Sequence, residues 1–346
     1  MATSWRSSVR HGPRLTMDRE SKLSKATPNP GVNVGARPNH QPNYQLIDGR
    51  VVDVNSIAKS ASPAQQSALV SALKLMRLDR PVGILLLLMP TLAALWLAAK
   101  GTPPLAITVI FVLGVVLTRS GGCVINDYAD RWLDRSVERT QQRVLVSGAL
   151  SGRTALILFA VLMLAAFALV LATNATTIWL SVLALVIATI YPYCKRHTYY
   201  PQVVLGVAFS MGIPMAYTAL DKTPDAVAWL LFCGNCLWTL AYDTLYAMVD
   251  RDDDILAGSK STAILFGDLD ITAVAILHAS AILSFALIGP RAELHWPFYA
   301  ALGVCAALAG VQIKLALKRD KAAYFQAFKL NQWLGMALFF GVFLSL

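Results

Sequence analysis

The sequence predicts an all-α fold, a polytopic membrane helix bundle of about nine transmembrane helices around a central cavity. Its 346 residues are 56% hydrophobic and 14% charged, whereas soluble domains carry about 25% charged residues. From residue 71 onward the chain holds long apolar runs that do not alternate as strands do. The net charge of +10 does not indicate nucleic-acid binding, because the Lys and Arg residues cluster in loops between these runs.

Residues 1–70 are predicted to form a polar, mostly disordered N-terminal arm ahead of a transmembrane domain over residues 71–346. The arm holds nine Lys and Arg against four Asp and Glu. Its first sixteen residues are basic and without acid, as in a mitochondrial presequence, but Asp18 and Glu20 follow and no amphipathic stripe is clear. We therefore favour the bacterial inner (cytoplasmic) membrane, with the mitochondrial inner membrane as the alternative.

Nine apolar runs are each near the length needed to cross a bilayer. They cover residues 82–99, 105–125, 155–173, 176–194, 202–220, 226–248, 271–289, 297–317 and 331–346. The last is the shortest. Together they predict the transmembrane bundle.

Loop charge orients these spans, because cytoplasmic loops are enriched in Lys and Arg. The loops after spans 2, 4, 6 and 8 hold thirteen basic residues, and those after spans 1, 3, 5 and 7 hold three. The thirteen are Arg131, Arg135, Arg139, Arg143, Arg153, Lys195, Arg196, Arg251, Lys260, Lys318, Arg319, Lys321 and Lys329; the three are Lys100, Lys222 and Arg291. The basic side is predicted to face the cytoplasm or the matrix.

Two acidic clusters lie at span ends on this basic side. They comprise Asn126, Asp127, Asp130 and Asp134 in the first, and Asp243, Asp250 and Asp254 in the second. If the first cluster continues span 2 as a helix, its aspartates share one helical face. Carboxylates are costly beside lipid, and like charges one turn apart destabilise a helix unless a cation lies between them. Because Mg²⁺ binds through carboxylates and substrate phosphates, the clusters predict Mg²⁺ held against a diphosphate.

The alternative for either cluster alone is a solvated loop in which arginines neutralise the aspartates. The arginines available for this are Arg131, Arg135, Arg139 and Arg251. Two clusters at matching span ends favour the metal–diphosphate site instead. Calcium is disfavoured because no loop has the EF-hand spacing.

These residues resemble the UbiA superfamily of intramembrane aromatic prenyltransferases. Its patterns N-D-x-x-D-x-x-x-D, D-x-x-x-D and Y-x-x-x-K match residues 126–134, 250–254 and 191–195. Three stretches, residues 76–83, 242–254 and 260–267, are most similar to members that prenylate 4-hydroxybenzoate for ubiquinone biosynthesis. The resemblance covers about residues 73–346.

The resemblance implies that a polyprenyl diphosphate and 4-hydroxybenzoate yield 3-polyprenyl-4-hydroxybenzoate and diphosphate, with Mg²⁺ as the cofactor. The implied metal ligands are Asn126, Asp127, Asp130, Asp134, Asp250 and Asp254, with Asp127 either a ligand or a supporting group. The implied catalytic residues are Asp130, Asp250, Asp243, Lys195 and Tyr191. Lys195, Arg139 and Arg143 are expected to bind diphosphate. Tyr191, Tyr242 and Tyr246 are expected to stabilise the prenyl cation, and Asp243 to orient the acceptor or take a proton.

The acceptor carboxylate needs a cation, and arginine can meet it with two parallel hydrogen bonds. Arg77 is the first choice and Arg196 the second. Anchoring to lipid phosphates is an equally good role for Arg77. Arg119 lies seven residues before Asn126, inside an apolar run, and is expected to pair with nearby carboxylates.

One departure from the family pattern follows the first motif, where Val144 and Val146 replace the usual prolines and leave the loop shape open.

Two other functions compete with 4-hydroxybenzoate prenylation. The first is a prenyltransferase of this family with another acceptor, such as protohaem, homogentisate, a naphthoate or chlorophyllide. The second is a membrane transporter, which would usually place its charged residues near the bilayer midplane rather than at span ends.

Overall fold

The computed structural model describes residues 44–47, 50–53, 68–131, 134, 140 and 142–346. The chain divides into two compact units, residues 1–63 and 64–346. In the first unit, strand β1 (Tyr44–Ile47) pairs antiparallel with strand β2 (Arg50–Asp53). Most of the predicted N-terminal arm lies outside the described residues, so its disorder stays a prediction.

The second unit is built from helices. They are α1 (Ala68–Leu75), α2 (Val82–Ala99), α3 (Leu105–Asp130), α4 (Gly152–Val170), α5 (Ala175–His197), α6 (Pro201–Ser210), α7 (Gly212–Ala219), α8 (Ala226–Val249), α9 (Arg251–Leu256), α10 (Thr262–Phe266), α11 (Asp270–Ala286), α12 (Ile288–Arg291), α13 (Trp296–Ala316) and α14 (Lys321–Phe343). Within the described part of the chain, seven helical segments are long and apolar enough to cross a membrane. This confirms the predicted all-α membrane bundle, while the count of nine spans stays a prediction.

The bounds predicted from the apolar runs lie close to those of most helices. The reason is that contact with lipid and burial in the bundle both favour apolar side chains. The first predicted span coincides with α2. Helix α3 continues beyond residue 125, where the second span was predicted to end, and stops at Asp130. The assumption that helix carries through residue 134 is therefore wrong, because α3 gives way to a turn at Arg131.

The last helix differs most from the prediction. Helix α14 begins at Lys321, whereas the predicted span began at residue 331. Polar residues such as Gln326, Lys329 and Asn331 lower the hydropathy of its first half, so an apolar window misses it. Asp320 caps this end by accepting a hydrogen bond from the backbone N–H of Ala323 at 2.8 Å.

A buried polar network explains why Asn331 is tolerated in the bundle. Asn331 is fully buried, and its Oδ1 accepts from the indole nitrogen of Trp238 at 2.8 Å. Its Nδ2 donates to Oε1 of Gln312, also at 2.8 Å. Because each buried polar group would otherwise be left without a partner, this network fixes α14 against α8 and α13.

We expect Asn331→Leu to destabilise the bundle by about 1–3 kcal/mol, because it leaves the Trp238 N–H and the Gln312 carbonyl buried without their partner. Thermal unfolding of the detergent-purified protein measures this as a lower midpoint. Phe340→Leu, at a side chain that is 47% exposed on the same helix, is the matched control and should leave the midpoint within a degree or so. Equal midpoints for Asn331→Leu and the wild type would contradict a stabilising network.

Candidate active site

The first acidic motif lies at the end of α3 and is buried. Asp127 and Asp130 are each 3% exposed, and Asp134, just beyond the helix, is 6% exposed. Although helix does not continue to residue 134, the chain turns so that Asp127 and Asp134 contact the same guanidinium, that of Arg143. The predicted convergence of these carboxylates is therefore present, by a turn rather than by helical spacing.

Among the residues that the structure describes, three basic side chains contact this motif at the distances below. Arg77 donates to both oxygens of Asp127 at 3.1 Å. Arg143 lies 3.0 Å from Asp127 and 2.7 Å from Asp134. Lys195 donates to Oδ2 of Asp130 at 3.0 Å. Arg139, which was predicted to bind diphosphate, lies outside the described residues.

Asp134 lies outside the membrane-spanning helices, and its surroundings raise the pKa of its carboxyl group. Burial raises its pKa to about 6, and the neighbouring charges of Asp127 and Asp130 act in the same direction. Arg143 opposes this rise. Burial is the main cause of this rise in pKa, and Arg143 offsets it only in part, so a further cation near Asp134 would favour its charged form.

The second acidic motif begins where α8 ends and continues into α9. Asp250 follows the last residue of α8, and its backbone oxygen accepts from the N–H of Asp254 at 2.8 Å. The backbone oxygen of Asp254 accepts in turn from Ser259. The next residue, Lys260, donates its backbone N–H to the oxygen of Lys195 at 2.8 Å.

Lys195 therefore joins the two motifs. Its ammonium group holds Asp130 of the first, its backbone oxygen holds the loop that follows the second, and the charge of Asp254 acts on it. The charges of Lys195 and Asp250 also act on Asp243, which lies about two turns before Asp250 along α8. Lys195 thus contacts Asp130 of the first motif and the loop after Asp254 of the second, and the predicted metal ligands stay a prediction.

The arginines of the second motif and of the α3 end are engaged elsewhere. Arg251 contacts the buried carboxylate of Asp270, which Arg319 approaches to 3.1 Å from the other side. Arg131 lies 4.3 Å from the ring centre of Tyr128 and donates to the oxygen of the same residue. Arg77, Arg143 and Lys195 pair with the first motif, while Arg135 and Arg139, which the charged-loop alternative also names, lie outside the described residues.

The donor set fits a hard divalent cation. Asn126 Oδ1 and Asp130 Oδ1 are buried and have no hydrogen-bond partner, which is costly unless a cation or donor completes the site. Among the described residues, no three acidic, His or Cys side chains converge closely enough to hold a metal ion. Lys195 and Arg143 occupy part of the space between the carboxylates instead.

Aromatic rings surround the site. Lys195 lies 5.9 Å from the ring centre of Tyr191. Tyr246 packs at 4.8 Å against Phe328, which also contacts Tyr242 at 6.1 Å. The sequence prediction missed Phe328 because it lies in the polar first half of α14, which was taken for a loop.

The contacts of Arg119 differ most from those predicted for the site. It was expected to pair with carboxylates, but among the described residues no carboxylate lies within ion-pair distance of it. Its Nη1 instead lies 3.0 Å from Sγ of Cys123, its guanidinium is 5.4 Å from the ring centre of Phe209, and its Nε is buried without a partner. The backbone of Gly83 makes room for it, since a Cβ there would lie 2.6 Å from the guanidinium.

Arg77 and Arg196, the predicted acceptor ligands, are both engaged. Arg77 holds Asp127, and Arg196 donates to the backbone oxygen of Ala129 at 3.1 Å. Arg119 feels the charge of Asp243, with larger contributions from Cys123, Tyr242 and Tyr191. The sequence placed Arg119 near the first motif, and its contacts with Cys123 and Phe209 are what the sequence did not predict.

Comparison with known proteins agrees with this geometry. The model of the UbiA prenyltransferase family matches residues 87–340. The chain belongs to the UbiA prenyltransferase family. Among its relatives, a 4-hydroxybenzoate octaprenyltransferase of Xanthomonas euvesicatoria is 55% identical over 269 residues, which is 78% of this chain and 89% of that protein. Its counterpart in Xylella fastidiosa is 54% identical over 79% of this chain and 91% of its own length.

Solved structures of the family share the fold. The apo UbiA homologue from Aeropyrum pernix has a TM-score of 0.68 at 25% identity, covering 75% of this chain and 97% of that one. The Archaeoglobus fulgidus homologue, solved with GPP and Mg²⁺, has a TM-score of 0.60 at 20% identity, covering 79% of this chain and 99% of that one. The predicted family and bundle architecture are thus confirmed, and the protein is an integral membrane protein.

We expect Arg143→Ala to loosen the turn after the first motif, because Asp127 and Asp134 would face each other without the shared guanidinium. Backbone amides at Val146 and Ser147, which donate to the Arg143 oxygen, should then exchange with deuterium about tenfold faster. Arg153→Ala, at an exposed position of α4, serves as the control. Unchanged exchange in Arg143→Ala, or an equal change in the control, would argue against the bridging role.

Proposed function

We propose that this protein transfers a polyprenyl group from polyprenyl diphosphate to the carbon ortho to the hydroxyl of 4-hydroxybenzoate, releasing diphosphate, in ubiquinone biosynthesis. Relatives 55% identical to it carry the name 4-hydroxybenzoate octaprenyltransferase. The observation that carries the proposal is the position of Lys195, which contacts the first acidic motif and the loop of the second. A diphosphate could be held from both sides there.

We assign the metal ligands from the donor set. Asn126, Asp130 and Asp134 would hold one Mg²⁺, with Asp127 beside them, and Asp250 and Asp254 would hold the other. When bound, Mg²⁺ neutralises the negative charge of the leaving diphosphate. The two unpartnered oxygens, on Asn126 and Asp130, support the first assignment. Structures of the Archaeoglobus fulgidus homologue with GPP or DMAPP and Mg²⁺ support a divalent metal with a prenyl diphosphate.

The basic residues would change partners when substrate binds. Lys195 and Arg143 now neutralise carboxylates, and their N–H groups match phosphate oxygens equally well. Diphosphate would draw them from Asp130 and Asp134, leaving those carboxylates for the cation. Arg139 is proposed to join them at the phosphates.

The prenyl and acceptor groups would meet beside the aromatic rings. Tyr191, Tyr242, Tyr246 and Phe328 can face the positive charge that develops as the bond from the prenyl carbon to the diphosphate oxygen breaks. The ring carbon of 4-hydroxybenzoate then forms the new carbon–carbon bond and loses its proton. Asp243 is the proposed proton acceptor, because the charges of Lys195, Arg119 and Asp250 all act on its carboxylate.

Arg119 is our choice for the acceptor carboxylate. Arg77 and Arg196 remain candidates from the sequence, but each already has a protein partner. Arg119 contacts Cys123 and Phe209 but pairs with no carboxylate among the described residues, and its buried Nε has no partner, so a ligand anion would complete its charge balance. A carboxylate bound there would hold the benzoate ring near Asp243.

The membrane assignment combines the family with loop charge. Because the relatives are bacterial, we place the protein in the bacterial inner membrane. The excess of Lys and Arg in the loops that carry both motifs supports an active site facing the cytoplasm. Carboxylates at the helix ends are a poor match to a transporter, which would place its charged residues near the bilayer midplane.

We expect Asp130→Ala and Asp250→Ala to reduce turnover about a hundredfold or more, because each removes a proposed metal ligand. The assay is prenyl transfer from geranyl diphosphate to labelled 4-hydroxybenzoate by purified protein with Mg²⁺. EDTA should stop the reaction and added Mg²⁺ should restore it.

Asp252→Ala is the matched control, because this exposed residue lies in the same acidic stretch but outside the D-x-x-x-D positions. It should retain most activity. Wild-type turnover in Asp130→Ala or Asp250→Ala would remove that carboxylate from the site. The absence of any product under all metals tried would exclude the proposed reaction.

We expect Arg119→Lys to raise the KM for 4-hydroxybenzoate about tenfold or more while changing the KM for the prenyl donor little, since a bidentate contact is lost. 4-Hydroxybenzamide, which lacks the carboxylate, should be used equally poorly by both proteins. Arg77→Lys and Arg196→Lys are the parallel variants. A selective rise in acceptor KM in either of them, with none in Arg119→Lys, would reassign the carboxylate site.

A further inference from the structure

Arg251 lies between the two carboxylates of the second acidic motif in the sequence. It follows Asp250 directly and precedes Asp254 by three residues, and in α9 residues three apart are neighbours on the helix surface. A guanidinium can bind a carboxylate through two hydrogen bonds, so Arg251 could compete with a metal ion for either aspartate. The structure directs its side chain toward α11 instead.

Asp270, the first residue of α11, is the group that Arg251 contacts. Its carboxylate is fully buried and accepts a hydrogen bond from Nη2 of Arg251. Arg319, between α13 and α14, approaches the same carboxylate to 3.1 Å and donates to the backbone oxygen of Asp268 at 3.2 Å. Among the described residues, Asp270 is the carboxylate that forms an ion pair with Arg251.

The charges of this cluster do not cancel. Asp270 faces two guanidinium groups, so the three side chains together carry one excess positive charge next to the second motif. Nε of Arg251 is also buried and has no hydrogen-bond partner among the described residues. If Asp270 lost its charge, this guanidinium would need another counter-charge, and Asp250 and Asp254 are the motif carboxylates beside it in the chain.

We propose that Asp270 is a positioning residue, which holds Arg251 away from Asp250 and Asp254 and so prevents it from competing with a divalent cation for them. This inference rests on the proposed function, which assigns these two carboxylates to Mg²⁺. Asp270 acts only through Arg251 and contacts no reacting group. It gives α11, which supplies none of the motif residues, a role in the site.

The test measures binding of Mn²⁺ by electron paramagnetic resonance, using full-length protein in phosphatidylcholine nanodiscs with uncleaved geranyl S-thiolodiphosphate. Asp270→Asn should weaken Mn²⁺ binding about tenfold, because the released guanidinium competes for the motif. In turnover, the apparent KM for Mg²⁺ should rise by a similar factor while kcat at saturating Mg²⁺ changes less. Asp268→Asn, the same change at an exposed position two residues earlier, is the matched control and should bind Mn²⁺ as the wild type does.

Two double variants separate this role from a structural one. Asp270→Asn with Arg251→Gln removes the competing guanidinium and should restore Mn²⁺ affinity to within about threefold of the wild type. Asp270→Asn with Arg319→Gln leaves Arg251 in place and should stay weak. Both have the same net charge and each lacks one partner of Asp270, so lost packing or long-range charge would affect them alike.

Unchanged Mn²⁺ binding in Asp270→Asn, or equal affinity in the two double variants, would overturn the positioning role. Weak binding in Arg251→Gln alone would do so too, because the contact would then brace the motif rather than remove a competitor. Thermal unfolding without metal shows which variants are folded, and the comparison of the double variants does not require Asp270→Asn itself to fold. Failure of the proposed metal site has a different signature, since Asp250→Ala would then bind Mn²⁺ as tightly as the wild type.

Discussion

The site depends on one positive charge placed between two negative clusters. Lys195 binds Asp130 through its ammonium group and binds the loop after the second motif through its backbone. The buried carboxylate of Asp130 would lack a counter-charge without this ammonium group. One residue of α5 thus links the end of α3 to the loop after α9, although these parts of the chain are over a hundred residues apart.

Much of the architecture could be predicted from the sequence, because lipid burial imposes a long apolar run on nearly every helix. The extent of α2 and the family of the chain followed directly from such runs and from the motif spacing. The first motif was predicted to converge, and it does, since Arg143 contacts Asp127 and Asp134 together. The convergence comes from a turn that hydropathy cannot describe.

The rest depended on tertiary contacts, which sequence spacing does not encode. The predicted last span was too short because polar residues such as Asn331 lower the hydropathy of α14. In the structure, Asn331 is buried and hydrogen-bonded to Trp238 and Gln312. That error hid Phe328 from the aromatic set. Likewise, the charged-loop alternative had Arg251 pairing with aspartates near it in sequence, whereas the structure shows it in contact with Asp270.

Gly83 shows how an absent side chain can direct chemistry. The guanidinium of Arg119 occupies the volume where a methyl group at residue 83 would project, and so the missing atom sets the position of the charge. Replacing Gly83 with alanine would change the hydropathy of α2 little and would alter no residue of the acidic motifs. Residue 83 carries no charge and belongs to no acidic motif. A larger side chain there would nevertheless displace the guanidinium of Arg119.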